Sequence, residues 1–247
     1  MTYLRKVHTA SRSYFDELRR IEREILSIIS KVKPRVIVDI GVGESTINLL
    51  SNQWLVIAVD SDCSKLVEFH RKIGSSYERL NRLMLACGDA SYLPLRQKSI
   101  DLVLFYFVLH EINPRLHLDV LACAKKVSKH IMIAEPVPSG NEMYRKLCNI
   151  WQNAMKSVGK FEEYREPEYW LTLLERLSMN IVEKKIISWR TAVPYEALKT
   201  MVELWIDGWK RIGVPKKFVE QLEMFLEETK VGEFKWSDIL VILALSA

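Results

Sequence analysis

The chain has 247 residues, 49% of them hydrophobic and 27% charged, with a formal net charge of +5 at pH 7. That balance excludes a disordered chain and suits one large α/β domain able to bury a sizeable interior. No apolar run is long enough to span a bilayer, and Arg5, Lys6 and Arg12 have no apolar core of a signal peptide behind them, so a cytoplasmic protein is expected.

Tyr14, Leu18, Ile21, Ile25, Ile28 and Ile29 recur at helical spacing and predict an amphipathic helix ahead of the first strand. Val36 to Ile40, β-branched and interrupted only by Asp39, predicts a buried parallel strand. Gly41 and Gly43 permit a tight turn and a close ligand approach, and residues 44–50 can open a helix whose free N–H groups face the same spot. This is a nucleotide-type binding loop, although Thr46 stands where the dinucleotide fingerprint has its third glycine. A second strand over residues 54–59 ends in Asp60-Ser61-Asp62, where one carboxylate can accept from two vicinal ribose hydroxyls. Asp60 lies about twenty residues past the glycine turn, as one β-α-β crossover requires. Residues 83–87 predict a third strand ending in Gly88-Asp89-Ala90, residues 101–107 a fourth and residues 131–136 a fifth that ends in Glu135-Pro136. The carboxylates gather at C-terminal strand ends, the edge at which open parallel sheets bind ligands.

The second half is helical and aromatic from Ser139 to about Leu177, with Tyr144, Trp151, Phe161, Tyr164, Tyr169 and Trp170. Strand character returns over residues 181–189. Two further helical stripes follow, Leu198/Met201/Val202/Trp205/Trp209 and Phe218/Leu222/Phe225/Leu226, and residues 236–245 close the chain as a strand. Cys63, Cys87, Cys123 and Cys148 are far apart without a C-x-x-C, which predicts neither zinc nor a disulfide framework, and Cys87 and Cys123 read as small core residues. The lysine and arginine clusters read as solvated helix faces rather than a nucleic-acid surface, given acidic neighbours such as Glu220, Glu223, Glu227 and Glu228. His8, His70, His117 and His130 read as surface residues or strand ends.

The succession VDIGVGES, IAVDSD, GDASYLPL and SIDLVLFYFVLHEI resembles class I S-adenosylmethionine-dependent methyltransferases, in their type-11 or quinone-biosynthesis-like branch, over roughly residues 30 to 136. The resemblance implies a Rossmann-like, doubly wound, mostly parallel seven-stranded sheet with an antiparallel C-terminal edge strand and helical cap insertions. It implies a single domain: a helical segment over 1–31, a cofactor-binding half over 32–136, caps at 137–179 and 193–230, and edge strands at 180–190 and 236–247. S-adenosylmethionine would then be held by Asp39, Gly41 and Gly43 around its methionine moiety, by Asp60 and Ser61 at the ribose, and by Asp89 and Ala90 at the adenine. Phe105 and Tyr106 would lie beside the sulfonium. Three departures stand out: Ser45 replaces the third glycine, Lys125 to His130 replaces a glycine pair, and His110-Glu111 stands where many members carry two histidines.

In-line methyl transfer needs positioning and exclusion of water, sometimes with proton removal, so the absence of a nucleophilic triad fits. His110 and Glu135 are the candidate general bases, with Glu111 beside them, and no His or carboxylate spacing predicts a metal site. The Asn/Asp-Pro-Pro-aromatic signature of exocyclic-amine methyltransferases and a Pro-Cys pair are both missing. The expected acceptor is therefore a small molecule, methylated on oxygen, nitrogen or carbon. An RNA methyltransferase and a non-catalytic cofactor-binding subunit are the alternatives.

Overall fold

The β-branched run Val36–Ile40 forms strand β1, buried along nearly its whole length, and the rest of the sheet assembles around it. A computed structural model describes residues 12–74, 81–138 and 141–246. Parallel pairing places β2 (Leu55–Asp60) on one side of β1 and β4 (Ile100–Tyr106) on the other, with Ile40 opposite both Val59 and Phe105. Beyond β2 lies β3 (Leu83–Cys87); beyond β4 lies β5 (Ser128–Pro136), also parallel. The strand order is β3-β2-β1-β4-β5-β7-β6, with β6 at Met179–Ile187 and β7 at Ile239–Ser246. The sheet is mostly parallel with antiparallel C-terminal strands, flanked by helices, a Rossmann-like arrangement. The chain leaves β1 toward β2 on one side and returns to β4 on the other, so ligand-binding loops diverge at the end of β1.

One expectation needs correction. The C-terminal strand is not the sheet edge: β7 lies between β5 and β6. Six consecutive residues from Ile239 to Ala244 are buried, whereas β6 is exposed along most of its length and carries Lys184 and Lys185. A charged, exposed strand is how a sheet edge avoids pairing with another chain.

The described residues divide into two compact units. The sheet unit comprises residues 25–135, 167–186 and 240–246. Its helices are α2 (Glu44–Ser51), α3 (Cys63–Ile73), α4 (His117–Val127) and α6 (Pro167–Arg176). Asp62 caps α3 by accepting from the Ser64 amide at 2.9 Å. Helix α6, expected among the cap elements, belongs to this unit, with Trp170 fully buried. The helical unit comprises residues 12–24, 136–166 and 187–239 and contains α5 (Glu142–Ser157), α7 (Tyr195–Arg211) and α8 (Lys216–Glu228). Helix α1 (Arg12–Lys31) contributes residues to both units.

The aromatic stripes of the second half are mainly the interior of the helical unit. Trp151 stacks edge-on against Trp205 at 4.9 Å and Trp209 at 5.1 Å, and Phe225 against Phe234 at 5.5 Å. Arg20 binds Glu17 with two bonds of 2.8 Å and the Ser188 carbonyl at 2.6 Å, and the Arg190 amide donates to the same Glu17 at 2.7 Å. These bonds satisfy a buried carboxylate that would otherwise oppose folding. No helix of the described residues is long and apolar enough to cross a membrane.

Candidate active site at the carboxyl edge of the sheet

Asp39 is fully buried one residue before the end of β1. Its Oδ2 accepts from the Thr46 hydroxyl at 2.6 Å and the Ser45 hydroxyl at 3.2 Å, and Thr46 Oγ1 in turn accepts from the Gly43 amide at 3.1 Å. The hydroxyls that stand in place of further glycines thus tie the turn and the start of α2 to the strand. Asp39 Oδ1 has no hydrogen-bond partner among the described residues, and burial pushes the carboxyl up to about 7 against the lowering effect of Thr46 and Ser45. Gly41 is left-handed at φ +85°, and a Cβ there would come within 3.0 Å of Val108 Cγ2. Glycine is required on both counts. Gly43 is extended, and a Cβ built on it meets nothing within 4 Å, so open space adjoins the turn.

Asp60 ends β2 and is largely buried. Its Oδ2 accepts from the Val42 amide at 3.1 Å and its Oδ1 from the Asp62 amide at 2.8 Å. The carboxylate therefore spans the glycine turn of β1 and the loop that begins α3, and Ser61 is exposed between its two attachment points. Gly88, just past β3, donates to the Asp60 carbonyl at 3.0 Å. Asp89 is exposed in the following turn, where the Ser91 hydroxyl and amide, each 2.7 Å from Oδ1, hold its carboxyl below the usual range. Ala90 is half-buried beside it.

At the ends of β4 and β5 a second carboxylate organises the backbone. Glu135 is buried, and its Oε1 accepts from the Val108 amide at 2.9 Å and the Leu109 amide at 2.7 Å. Its Oε2 lies 2.6 Å from His110 Nδ1, and His110 is buried as well. A carboxylate at Nδ1 fixes the proton there, which makes Nε2 the basic nitrogen of the neutral ring. The two candidate bases are thus one hydrogen-bonded pair. Phe105 is buried in the core of the sheet, while Tyr106 and Phe107 are half-buried at the strand end with rings 4.6 Å apart. Phe107 is left-handed at φ +53°, uncommon for an aromatic residue, and marks the point where the chain turns out of β4.

His117, read from sequence as a surface residue, is fully buried. Its Nε2 lies 2.9 Å from the Leu109 carbonyl and 3.0 Å from the Ile112 carbonyl, and its Nδ1 lies 2.9 Å from the Tyr169 hydroxyl. Nε2–H therefore donates to both carbonyls while Nδ1 accepts from Tyr169, so the ring holds the short helical turn that carries His110. Arg115 and Asp119, two residues away on either side, had masked its burial. His70 is exposed and His130 half-buried, and His8 lies outside the described residues. Sequence reasoning also passed over Thr46, which looked like a missing glycine, and Phe107, hidden in an apolar run.

The cysteine reading is overturned. Cys63 and Cys87 form a disulfide, and both are exposed. They are 24 residues apart in sequence, but pairing of β2 with β3 sets Cys87 opposite Asp60, and α3 begins at Cys63, so their Cα atoms are 5.2 Å apart. Cys123 and Cys148 are free thiols.

Residues 38–131 match the family described as a methyltransferase domain. No curated protein matches the sequence. Among solved structures, the YcgJ protein of Bacillus subtilis is similar in fold, with a TM-score of 0.61, 14% identity and coverage of 91% of this chain and 98% of that one. An S-adenosylmethionine-dependent methyltransferase of Methanosarcina mazei superposes with a TM-score of 0.56 at 15% identity, covering 85% and 92%. Geranyl diphosphate C-methyltransferase of Streptomyces coelicolor, solved with S-adenosylhomocysteine, gives 0.51 at 8% identity, covering 86% and 70%. The glycine turn, Asp60 and Asp89 lie within the residues that match a methyltransferase domain, and the chain shares its fold with S-adenosylmethionine-dependent methyltransferases.

Proposed function

We propose that this protein transfers a methyl group from S-adenosylmethionine to a small-molecule acceptor at oxygen, nitrogen or carbon. The observation that carries the reading is the Asp60 carboxylate, which accepts from the Val42 amide of the glycine turn at 3.1 Å while ending β2. That contact joins a turn suited to the methionine end of the cofactor to a carboxylate suited to its ribose hydroxyls. The open space beside Gly43 also fits a ligand that approaches the backbone of the turn closely. Asp39, Gly41 and Gly43 would border the methionine moiety, Asp60 and Ser61 the ribose, Asp89 and Ala90 the adenine, and Tyr106 with Phe105 behind it the reacting end. Bound in this way, S-adenosylmethionine supplies an electrophilic methyl group on a positively charged sulfur.

His110 takes the acceptor's proton at Nε2, and Glu135 steadies the resulting imidazolium through Nδ1. Because Glu135 Oε1 also holds the Val108 and Leu109 amides, the pair is fixed to its turn before any acceptor arrives. Geranyl diphosphate C-methyltransferase, similar in fold, acts on a small molecule, which supports that acceptor class.

The test is incubation with methyl-labelled S-adenosylmethionine and either a metabolite extract or bulk tRNA. Label is expected in the small-molecule fraction, and RNA binding should vanish at moderate salt. Salt-resistant labelling of RNA would replace this reading with an RNA methyltransferase. Cofactor binding without label in any extract would leave a non-catalytic cofactor-binding subunit.

A further inference from the structure

We propose that the Cys63–Cys87 disulfide is a thiol–disulfide exchange site that sets the affinity of the cofactor edge. The inference rests on the placement of S-adenosylmethionine at Asp60 and Asp89 given above. Cys63 is three residues beyond Asp60, and Cys87 immediately precedes Gly88 and Asp89. The bond therefore ties the segment read as the ribose site to the segment read as the adenine site. Its other ties are backbone contacts, the Gly88 amide to the Asp60 carbonyl at 3.0 Å and the parallel pairing of Asp60 with Cys87. The stretch between the two cysteines contains all of α3, so opening the bond frees the helix start from the end of β3.

Access supports exchange rather than a sealed staple. Both cysteines are exposed and open into a groove of about 410 Å³ between α3 and β3. Arg71 lines the same groove, a cation that favours an incoming thiolate, and Val67 and Leu85 give an apolar wall against which a reductant can seat. The reductant is a dithiol. One of its thiolates attacks a sulfur of the bond and forms a mixed disulfide; its second thiol then displaces the protein sulfur. Two electrons and two protons pass to Cys63 and Cys87, which end as thiols, and the dithiol ends as a disulfide.

Oxidised protein is expected to bind S-adenosylhomocysteine at least about fivefold more tightly than protein reduced with dithiothreitol. By reciprocity, saturating S-adenosylhomocysteine then makes the disulfide harder to reduce by the same factor, about 20 mV in a dithiothreitol redox titration. Both effects should disappear in the full chain carrying Cys63→Ser and Cys87→Ser, and persist when only the free thiols are replaced (Cys123→Ser, Cys148→Ala). Equal affinity of oxidised and reduced parent, with binding intact, overturns the exchange site and leaves the methyltransferase reading standing. A reduction potential unmoved by ligand overturns it independently of any variant. Absence of S-adenosylhomocysteine binding in both redox states overturns the cofactor placement itself, and this inference with it.

Discussion

Replacing Asp39 with asparagine should flatten the pH dependence of stability. In the folded protein burial pushes this carboxyl up to about 7, against an ordinary value of 3.8. The folded state therefore keeps a proton that the unfolded chain has released, and stability falls as pH rises from about 3.8 to about 7, then levels off. At 1.36 kcal/mol per pH unit, the two titration curves differ by roughly 4 kcal/mol in total and by roughly 2–3 kcal/mol between pH 5 and pH 8. Asp89 and Glu17, whose carboxyls are held low, act in the opposite sense and below that window. Urea unfolding of parent and Asp39→Asn at pH 5, 6, 7 and 8 isolates the contribution as the difference between two profiles. The variant should lose less stability with rising pH, by the amount above. Parallel profiles would refute the argument, because they would mean that Asp39 ionises in the folded protein as readily as in the unfolded one.

Three further outcomes are expected. Gly41→Ala should be destabilised by roughly 1–2 kcal/mol from the left-handed backbone alone, with more from Val108, read as a drop in thermal midpoint; an unchanged midpoint would mean that the turn relaxes freely. His110→Ala should lower turnover on the true acceptor by about 10²–10⁴-fold while cofactor affinity stays nearly intact, and full turnover would reduce His110 to a structural role. Glu135→Ala should lose activity and also shift the melting profile, since Oε1 holds two backbone amides of the turn that His110→Ala leaves in place.

The sheet and its glycine turn were legible in the sequence because β1 is buried along its length, so its apolar run is interrupted only where Asp39 meets Thr46. The strand-end carboxylates were legible for the same reason: Asp60 closes an apolar run and Asp89 follows one. Features fixed by contacts between distant segments were not legible. Which of the last two strands forms the edge depends on pairing order, and an apolar run such as Ile239 to Ala244 reads alike in either place. The Cys63–Cys87 bond exists because β2 pairs with β3, a proximity that a 24-residue separation hides. His117 looked like a surface residue between Arg115 and Asp119, yet the carbonyls of Leu109 and Ile112 turn toward it. Asp39 was recognised, but that Ser45 and Thr46 would bind one oxygen and leave the other unpartnered needed side-chain geometry.

The central claim, that the carboxyl edge of this sheet holds S-adenosylmethionine through Asp60, is met most directly by isothermal titration of oxidised parent, Asp60→Asn and Asp60→Ala with S-adenosylmethionine, S-adenosylhomocysteine and NAD. The parent should bind the first two and not NAD. Loss of a charge-assisted ribose contact in Asp60→Ala should weaken binding by roughly 1.5–3 kcal/mol, about 10- to 100-fold, with Asp60→Asn between the two because it keeps one acceptor oxygen for the backbone amides. Unchanged affinity in Asp60→Ala, or tight binding of NAD by the parent, would contradict the assignment.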